Sequence, residues 1–176
     1  MKTKQLFFIG ILALIALGLR AQSPSPTGKE STISSDQNTK PKPVECDGLF
    51  FTDGTQTKLY SGGYQEFFEN GALRLDMMIV SGKPDGPYVV YFDNGRPNEV
   101  RSYHNGKFHG VWRTYNSSGM LISQAQYIDN KKHGKWMIWD DNGIQRYEME
   151  YTNGQRSGVW YVWDEKGRLI SEKKYQ

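Results

Sequence analysis

The side chains of this chain that could do chemistry are few and dispersed. It has three histidines, His104, His109 and His133. His109 and His133 each precede a Gly in the same local text, 24 residues apart. A zinc site needs its imidazoles in one coordination shell, with Cys or carboxylate completing the set. Equivalent positions in neighbouring hairpins lie two strands, or about 9–10 Å, apart. That is too far for one ion, so both read as polar turn residues. The carboxylate pairs Asp140–Asp141 and Asp164–Glu165 are adjacent in turn-like text, whereas glycoside hydrolysis needs carboxyls opposed across a cleft. No Ser/His/Asp set lies at a strand-to-helix turn, and no Gly-rich loop opens a helix. The expectation is a non-enzymatic protein with no catalytic residues, no metal and no cofactor.

The elements that hold these residues repeat. In Gly134-Lys135-Trp136-Met137-Ile138-Trp139-Asp140-Asp141-Asn142-Gly143, a Gly opens the run, aromatics stand three apart, and acid-Asn-Gly closes it. Steps of 24 residues return the pattern at Gly62/Tyr64/Phe67/Gly71, Gly86/Tyr88/Tyr91/Gly95, Gly110/Trp112/Tyr115/Gly119 and Gly158/Trp160/Trp163/Gly167. A second turn column reads Gly82, Gly106, Asn130, Gly154. Gly serves where the backbone takes positive φ, and Asn can replace it. Two turns per unit leave roughly eight residues per strand. They leave no room for a helical face, and aromatic and β-branched residues fill the runs.

The expected fold is therefore all-β: an elongated single-layer antiparallel sheet of tandem 24-residue hairpins. Its units span 62–85, 86–109, 110–133, 134–157 and 158–176, after a degenerate hairpin at 46–61. That first hairpin, with turns at Asp47-Gly48 and Asp53-Gly54, is expected to pair with the next unit and blunt the sheet edge. Alternation in a strand puts Tyr64, Tyr88, Trp112, Trp136 and Trp160 on one face and Phe67, Tyr91, Tyr115, Trp139 and Trp163 on the other. A second-strand column, Ile79, Tyr103, Tyr127, Tyr151, Tyr175, joins these ladders. A single layer must make its core from them, on both faces.

Residues 1–21 have the form of a secretory signal, with Lys2 and Lys4 before an apolar run of 14 residues, Leu6 to Leu19, and Ala21 before Gln22. The alternative is an uncleaved anchor, but a spanning helix needs about 20 apolar residues. No Cys follows that would carry a lipid. The signal holds three cations, Lys2, Lys4 and Arg20, and no acid; of 22 Lys+Arg against 19 Asp+Glu, 19 cations remain, a net charge of zero. A neutral mature chain has no global field for nucleic acid. Residues 22–45 are rich in Ser, Pro, Thr and Lys and read as a disordered linker, either a tether or a leader without a role. Cys46 is the only Cys, so no internal disulfide forms. It is a small residue at the domain's entry or an intermolecular link.

The recurring text Gly-Lys-x-His-Gly-x-Trp-x-x-Tyr/Trp-Asp-x-x-Gly resembles the MORN-variant repeat. It is clearest at Gly106-Lys107-Phe108-His109-Gly110-Val111-Trp112 and Lys131-Lys132-His133-Gly134-Lys135-Trp136. Bacterial chains of this kind are often called YwqK-like antitoxins. The resemblance spans about Gly48 to Tyr175. It implies a hairpin ribbon used as an interaction surface for proteins or anionic lipid, and it supplies no catalytic motif. An antitoxin role fits poorly with export, since toxin neutralisation is ordinarily cytoplasmic; an immunity-like role outside the cytoplasm fits better.

Two surfaces are candidates for binding. One turn edge is basic (Lys83, Lys107, Lys131, Lys132, Lys135, Arg156) and could meet anionic head groups, at about 1 kcal/mol per well-placed cation; ordinary turn polarity that blunts aggregation is the simpler explanation. The Trp-rich half (Trp112, Trp136, Trp139, Trp160, Trp163) could stack on sugars or grip a peptide, or could simply be core. Differences between copies also mark the His/Lys turn of the middle units, with Lys107, His109, Lys131, Lys132 and His133. The reading is an exported, periplasmic or cell-envelope interaction module with an unknown protein partner, the alternative being a glycan or anionic-lipid binder.

Overall fold

A computed structural model describes residues 42–176. The expected signal peptide at 1–21, and the linker up to residue 41, lie outside the described residues. The described chain is all strand and turn. In order, β1 is Val44–Cys46, β2 Leu49–Phe51, β3 Gly62–Phe67, β4 Leu73–Val80, β5 Lys83–Tyr91, β6 Pro97–His104 and β7 Lys107–Phe108. Then come β8 Gly110–Tyr115, β9 Leu121–Ile128, β10 Lys131–Lys132, β11 Gly134–Trp139, β12 Gln145–Thr152, β13 Gln155–Trp163 and β14 Leu169–Lys174.

The main sheet is a meander. Strands β3, β4, β5, β6, β8, β9, β11, β12, β13 and β14 lie side by side in chain order, with β7 added to β6 and β10 to β9. Every pairing is antiparallel. Two kinds of turn produce it. The short turns need two successive left-handed residues, which matches the right-handed strand twist. They are Ser81–Gly82 (φ 48 and 75), Asn105–Gly106 (50 and 75), Asp129–Asn130 (48 and 68) and Asn153–Gly154 (52 and 89). Asn130 thus takes the conformation that Gly takes in its counterparts, and its side chain also accepts the Phe108 N–H at 2.7 Å.

The longer turns close on a left-handed Gly. An Asp or Asn carboxyl or amide oxygen organises several of them. Asp140 Oδ1 accepts the N–H groups of Asn142 and Ile144, both at 3.0 Å. Asp164 Oδ1 accepts those of Lys166 at 2.8 Å and Arg168 at 3.0 Å. These bonds hold the Asp164 carboxyl below its usual range, with the Arg168 N–H contributing most. Two acids that read as a conceivable catalytic feature are occupied in building turns. Each such turn follows a register shift, between Glu66/Phe67, Val90/Tyr91, Thr114/Tyr115, Ile138/Trp139 and Val162/Trp163. A bulge at the same place in every hairpin adds the same local twist each time.

The first hairpin departs from the expectation. β1 and β2 pair only with each other, from Val44↔Phe51 to Cys46↔Leu49, as a separate two-stranded sheet. They start two residues inside the stretch read as linker and do not extend the edge beside β3. Instead the hairpin caps a turn: the Phe50 N–H donates to the Gly82 carbonyl at 2.9 Å, and the Gly82 N–H donates to the Tyr60 carbonyl at 2.7 Å. Phe50 then lies on Tyr64, ring centroids 5.2 Å apart. The physical reason is its shortness: three-residue strands supply too few ladder bonds to outcompete a buried Phe.

The core sits on one face only. Its buried members are Phe50, Tyr64, Leu75, Met77 and Ile79 toward the N-terminus, and Tyr127, Trp136 and Tyr151 further along. The opposite column stays wetter, and Phe67 is 58% exposed. The expectation of a core on both faces is corrected here. Within each hairpin a bulge falls at that second column and breaks its ladder; the shifts between hairpins, at Met77/Ile79 and Glu148/Glu150, lie beside the first column without separating its rings.

Candidate functional site: an aromatic ladder under cations

The buried face carries a continuous row of rings. From Tyr88 the contacts run to Tyr103 (5.3 Å between centroids), to Phe108 (5.3 Å) and Trp112 (6.4 Å), and from Trp112 to Tyr127 (4.8 Å). They continue Tyr127–Trp136 (5.1 Å), Trp136–Tyr151 (5.3 Å), Tyr151–Trp160 (5.2 Å) and Trp160–Tyr175 (4.8 Å). All are tilted or edge-on, the arrangement the ring quadrupole favours. Each step crosses one strand. Apart from Tyr88 on β5, the tyrosines come from the second strand of a hairpin and Trp from the first.

A glycine stands beside the ladder. Tyr151 is directly opposite Gly134 in the register. Gly134 has φ 61, and a β-carbon there would collide with the Gln126 side chain, which fills the space that the glycine leaves. The indole N–H groups of Trp136 and Trp160 are satisfied by backbone, donating to the Gln126 carbonyl at 3.1 Å and the Glu150 carbonyl at 3.0 Å. Trp112 Nε1 is buried without a partner among the described residues. Phe108, only 4.4 Å away, packs against this indole in place of the cation found at the matching position of the next unit.

Cations lie over the rings. The Arg101 guanidinium is 5.2 Å from the Tyr88 centroid and 4.9 Å from Trp112. The Lys132 ammonium is 4.5 Å from Trp136 and 4.9 Å from Tyr151. Arg156 is 5.0 Å from Trp160 and 5.6 Å from Tyr175, and Lys173 is 5.1 Å from Tyr175. These distances are those of cation–π attraction. The cations differ in their partners. Arg101 is bonded to the Glu99 carboxylate, which raises its pKa against its burial. Among the described residues, Lys132, Arg156 and Lys173 form no salt bridge. Burial and the neighbouring Arg156 charge push the Lys132 pKa down.

The acids of β12 sit on the other face. Glu148 and Glu150 alternate with Met149 and Tyr151 along β12, so they point away from the ladder. Glu148 holds Lys135 at 2.6 Å there. Along β12, then, the carboxylates lie on the face opposite Lys132 and Arg156. Burial also raises the ladder phenols: Tyr127 is pushed up to about 12, and Tyr88, Tyr103 and Tyr151 move the same way.

The candidate residues do not converge on one spot. Trp112, Trp136 and Trp160 are ladder members, with Trp136 only 5% exposed. Trp163 belongs to a separate pair with Tyr161 at 5.8 Å, and Trp139 makes no ring contact among the described residues. Lys107 and Lys131 are exposed at the turn edge. His109 Nδ1 faces Asp129 at 3.5 Å, and His104 faces Asp85 at 3.7 Å. His133 is half-buried, its Nδ1 unpartnered among the described residues. Among those residues no His/Cys/Asp/Glu group of three is placed to share an ion. Lys132 and Arg156, read from sequence as one basic edge with Lys107 and Lys131, are drawn onto the ladder face instead. Their register explains it: Lys132 pairs with Tyr127 and Arg156 with Tyr151, so each shares a face with a ladder Tyr. Phe108, paired with Tyr103, occupies the same position one hairpin earlier.

Two findings from known proteins bear on this site. Residues 108–129, from the ring at Phe108 past the ring at Tyr127, match the family described as MORN repeat variant. No curated protein matches the chain.

Proposed function

We propose that the chain is an array of five 24-residue MORN-variant hairpins over 62–176 that acts as a non-enzymatic scaffold for protein–protein interaction. We place it outside the cytoplasm, in the periplasm or on the cell envelope, after removal of residues 1–21. One observation carries the reading: a long single-layer sheet presents a ladder of rings topped by cations, and among the described residues no second layer covers it. Repeat arrays of this kind offer extended surfaces for partners, and the match at 108–129 falls at the middle of the ladder. An immunity-like role, with the captured protein a toxin met in the envelope, is the narrower form of this proposal.

Affinity capture from envelope extract with the tagged full-length protein tests it. One protein recovered in stoichiometric amount is the expected result. Retention by peptidoglycan or by anionic vesicles, with no protein retained, supports the second reading of a glycan or lipid binder, which the unpartnered cations over aromatic rings favour. Export is tested by fractionation: the protein found only in the cytoplasm would overturn that part.

A further inference from the structure

The spacing of the ladder cations that have no carboxylate partner among the described residues is the informative quantity; Arg156 donates only to the Tyr175 hydroxyl, at 3.4 Å. Lys132 covers the Trp136–Tyr151 step and Arg156 the Trp160–Tyr175 step. The two charges are therefore two strands apart along the ladder, about 9–10 Å. Lys173 adds a third positive charge at Tyr175. No carboxylate within salt-bridge reach offsets any of the three among the described residues. A ligand that satisfies them must run across the strands, along the ring ladder, with negative charges on one side at that spacing.

An extended β-strand does not fit. Its side chains return to one face every two residues, about 6.6 Å, and again at about 13 Å. A polyproline II helix does fit: three residues per turn and about 3.1 Å per residue return a side chain to the same line every ~9.3 Å. Such helices also dock on aromatic-lined surfaces, and they enter the complex already ordered. The geometry points to an acidic polyproline II segment, with carboxylates every third residue, as the ligand of the ladder face between Trp136 and Tyr175. Lys132 and Arg156 pair with successive carboxylates, and the intervening prolines rest on the partly exposed rings of Trp160 and Tyr175 and on the Lys132 side chain that covers Trp136. The N-terminal part of the ladder is not equivalent, because Arg101 is already held by Glu99 and Phe50 covers Tyr64. This inference deepens the interaction reading and rests on it.

The test titrates full-length protein with a (Glu-Pro-Pro)5 peptide, followed by calorimetry and Trp emission. Saturable binding is expected, weakened at least tenfold by Lys132→Gln with Arg156→Gln and unchanged by Lys107→Gln at the exposed turn edge. A (Glu-Pro)7 peptide, whose charges fall out of step, and a neutral (Gln-Pro-Pro)5 peptide are expected to bind at least tenfold more weakly. Near-UV circular dichroism checks that the double variant keeps its ring packing; if it does not, the single Lys132→Gln variant is read instead. No binding of (Glu-Pro-Pro)5, equal binding of the three peptides, or an unchanged affinity in the variants overturns the proposal. Vesicles of phosphatidylglycerol that bind through Lys132 and Arg156, while the peptide does not, overturn it in favour of a membrane. Failure of the peptide alongside successful capture of an envelope protein leaves the scaffold reading standing and removes only this ligand.

Discussion

The two halves of the ladder face solve the same packing problem differently. Toward the N-terminus the core is mostly aliphatic, with Leu75, Met77 and Ile79 under Tyr64, and the first hairpin lays Phe50 on top. Its arginines are paired, Arg74 with Glu66 and Arg101 with Glu99, while Lys42 lies over Tyr64 at 5.6 Å. Toward the C-terminus the core is rings alone, Tyr127, Trp136 and Tyr151 flanked by Trp112 and Trp160, and its cations are unpaired. The rings of both ends are buried, Tyr64 8% exposed and Trp136 5%; the difference is that Arg74 and Arg101 have carboxylate partners, whereas Lys132 and Arg156 have none among the described residues. On the proposed reading of the chain as a repeat array, such a division would separate stabilisation from recognition along the chain.

The largest effect should come from the C-terminal core. Trp136→Ala is expected to cost about 3–5 kcal/mol, as for large aromatic truncations in cores. All five Trp lie between residues 112 and 163, so Trp emission reports that half while far-UV circular dichroism reports both. In urea the emission midpoint of this variant should fall below the dichroism midpoint. Ile79→Ala, at a fully buried site, should cost about 2–5 kcal/mol and reverse the order of the midpoints. Coincident midpoints in both variants would erase the distinction and make the sheet one cooperative unit.

Charge gives a smaller contrast. Glu99→Gln leaves the largely buried Arg101 guanidinium without its carboxylate, at a cost of about 1–3 kcal/mol. Lys132→Met removes a desolvated cation that has a like charge beside it, and stability should hold or rise. A marked loss in Lys132→Met would mean that the C-terminal cations serve the fold as Arg101 does.

Alkaline pH reads the ladder directly. A phenol whose folded pKa is raised keeps its stabilising contribution below the unfolded value, near 10. It loses that contribution as pH climbs through the folded value, about 12 for Tyr127. The urea midpoint should be flat from pH 8 to 9.5 and fall from 10 to 12, less steeply in Tyr127→Phe. An equal slope in both would place the buried phenol elsewhere. The smallest effect belongs to the opposite face, where Phe67→Ser should stay within about 0.5 kcal/mol, as a thermal melt would show.

Much of this was legible in the residues. The positions of the short turns followed from the Gly/Asn column, because left-handed backbone admits few residue types. The ladder columns followed from alternation and spacing. Three things did not. Which of two aromatic faces would bury did not follow from alternation, since both faces carry aromatics, and the bulges within each hairpin leave no composition signal beyond the turn Gly beside them. The destination of Lys132 and Arg156 depended on register: a long cation near a turn can point to water or lie back on a ring. The register parity with Tyr127 and Tyr151, or the aromatic Phe108 at the matching position, was the available signal. The first hairpin's docking on the Ser81–Gly82 turn is a tertiary choice that three-residue strands cannot encode locally.

The meander has a kinetic consequence. Because order in space equals order in sequence from β3 to β14, every backbone ladder closes a loop no longer than one turn. Sheets are usually slow to form because distant strands must meet before any contact rewards them. Here each hairpin needs only the one just completed as its template. A chain threading into solvent N-terminus first could add strands like rungs, with the Phe50-covered end as a seed that waits for nothing downstream.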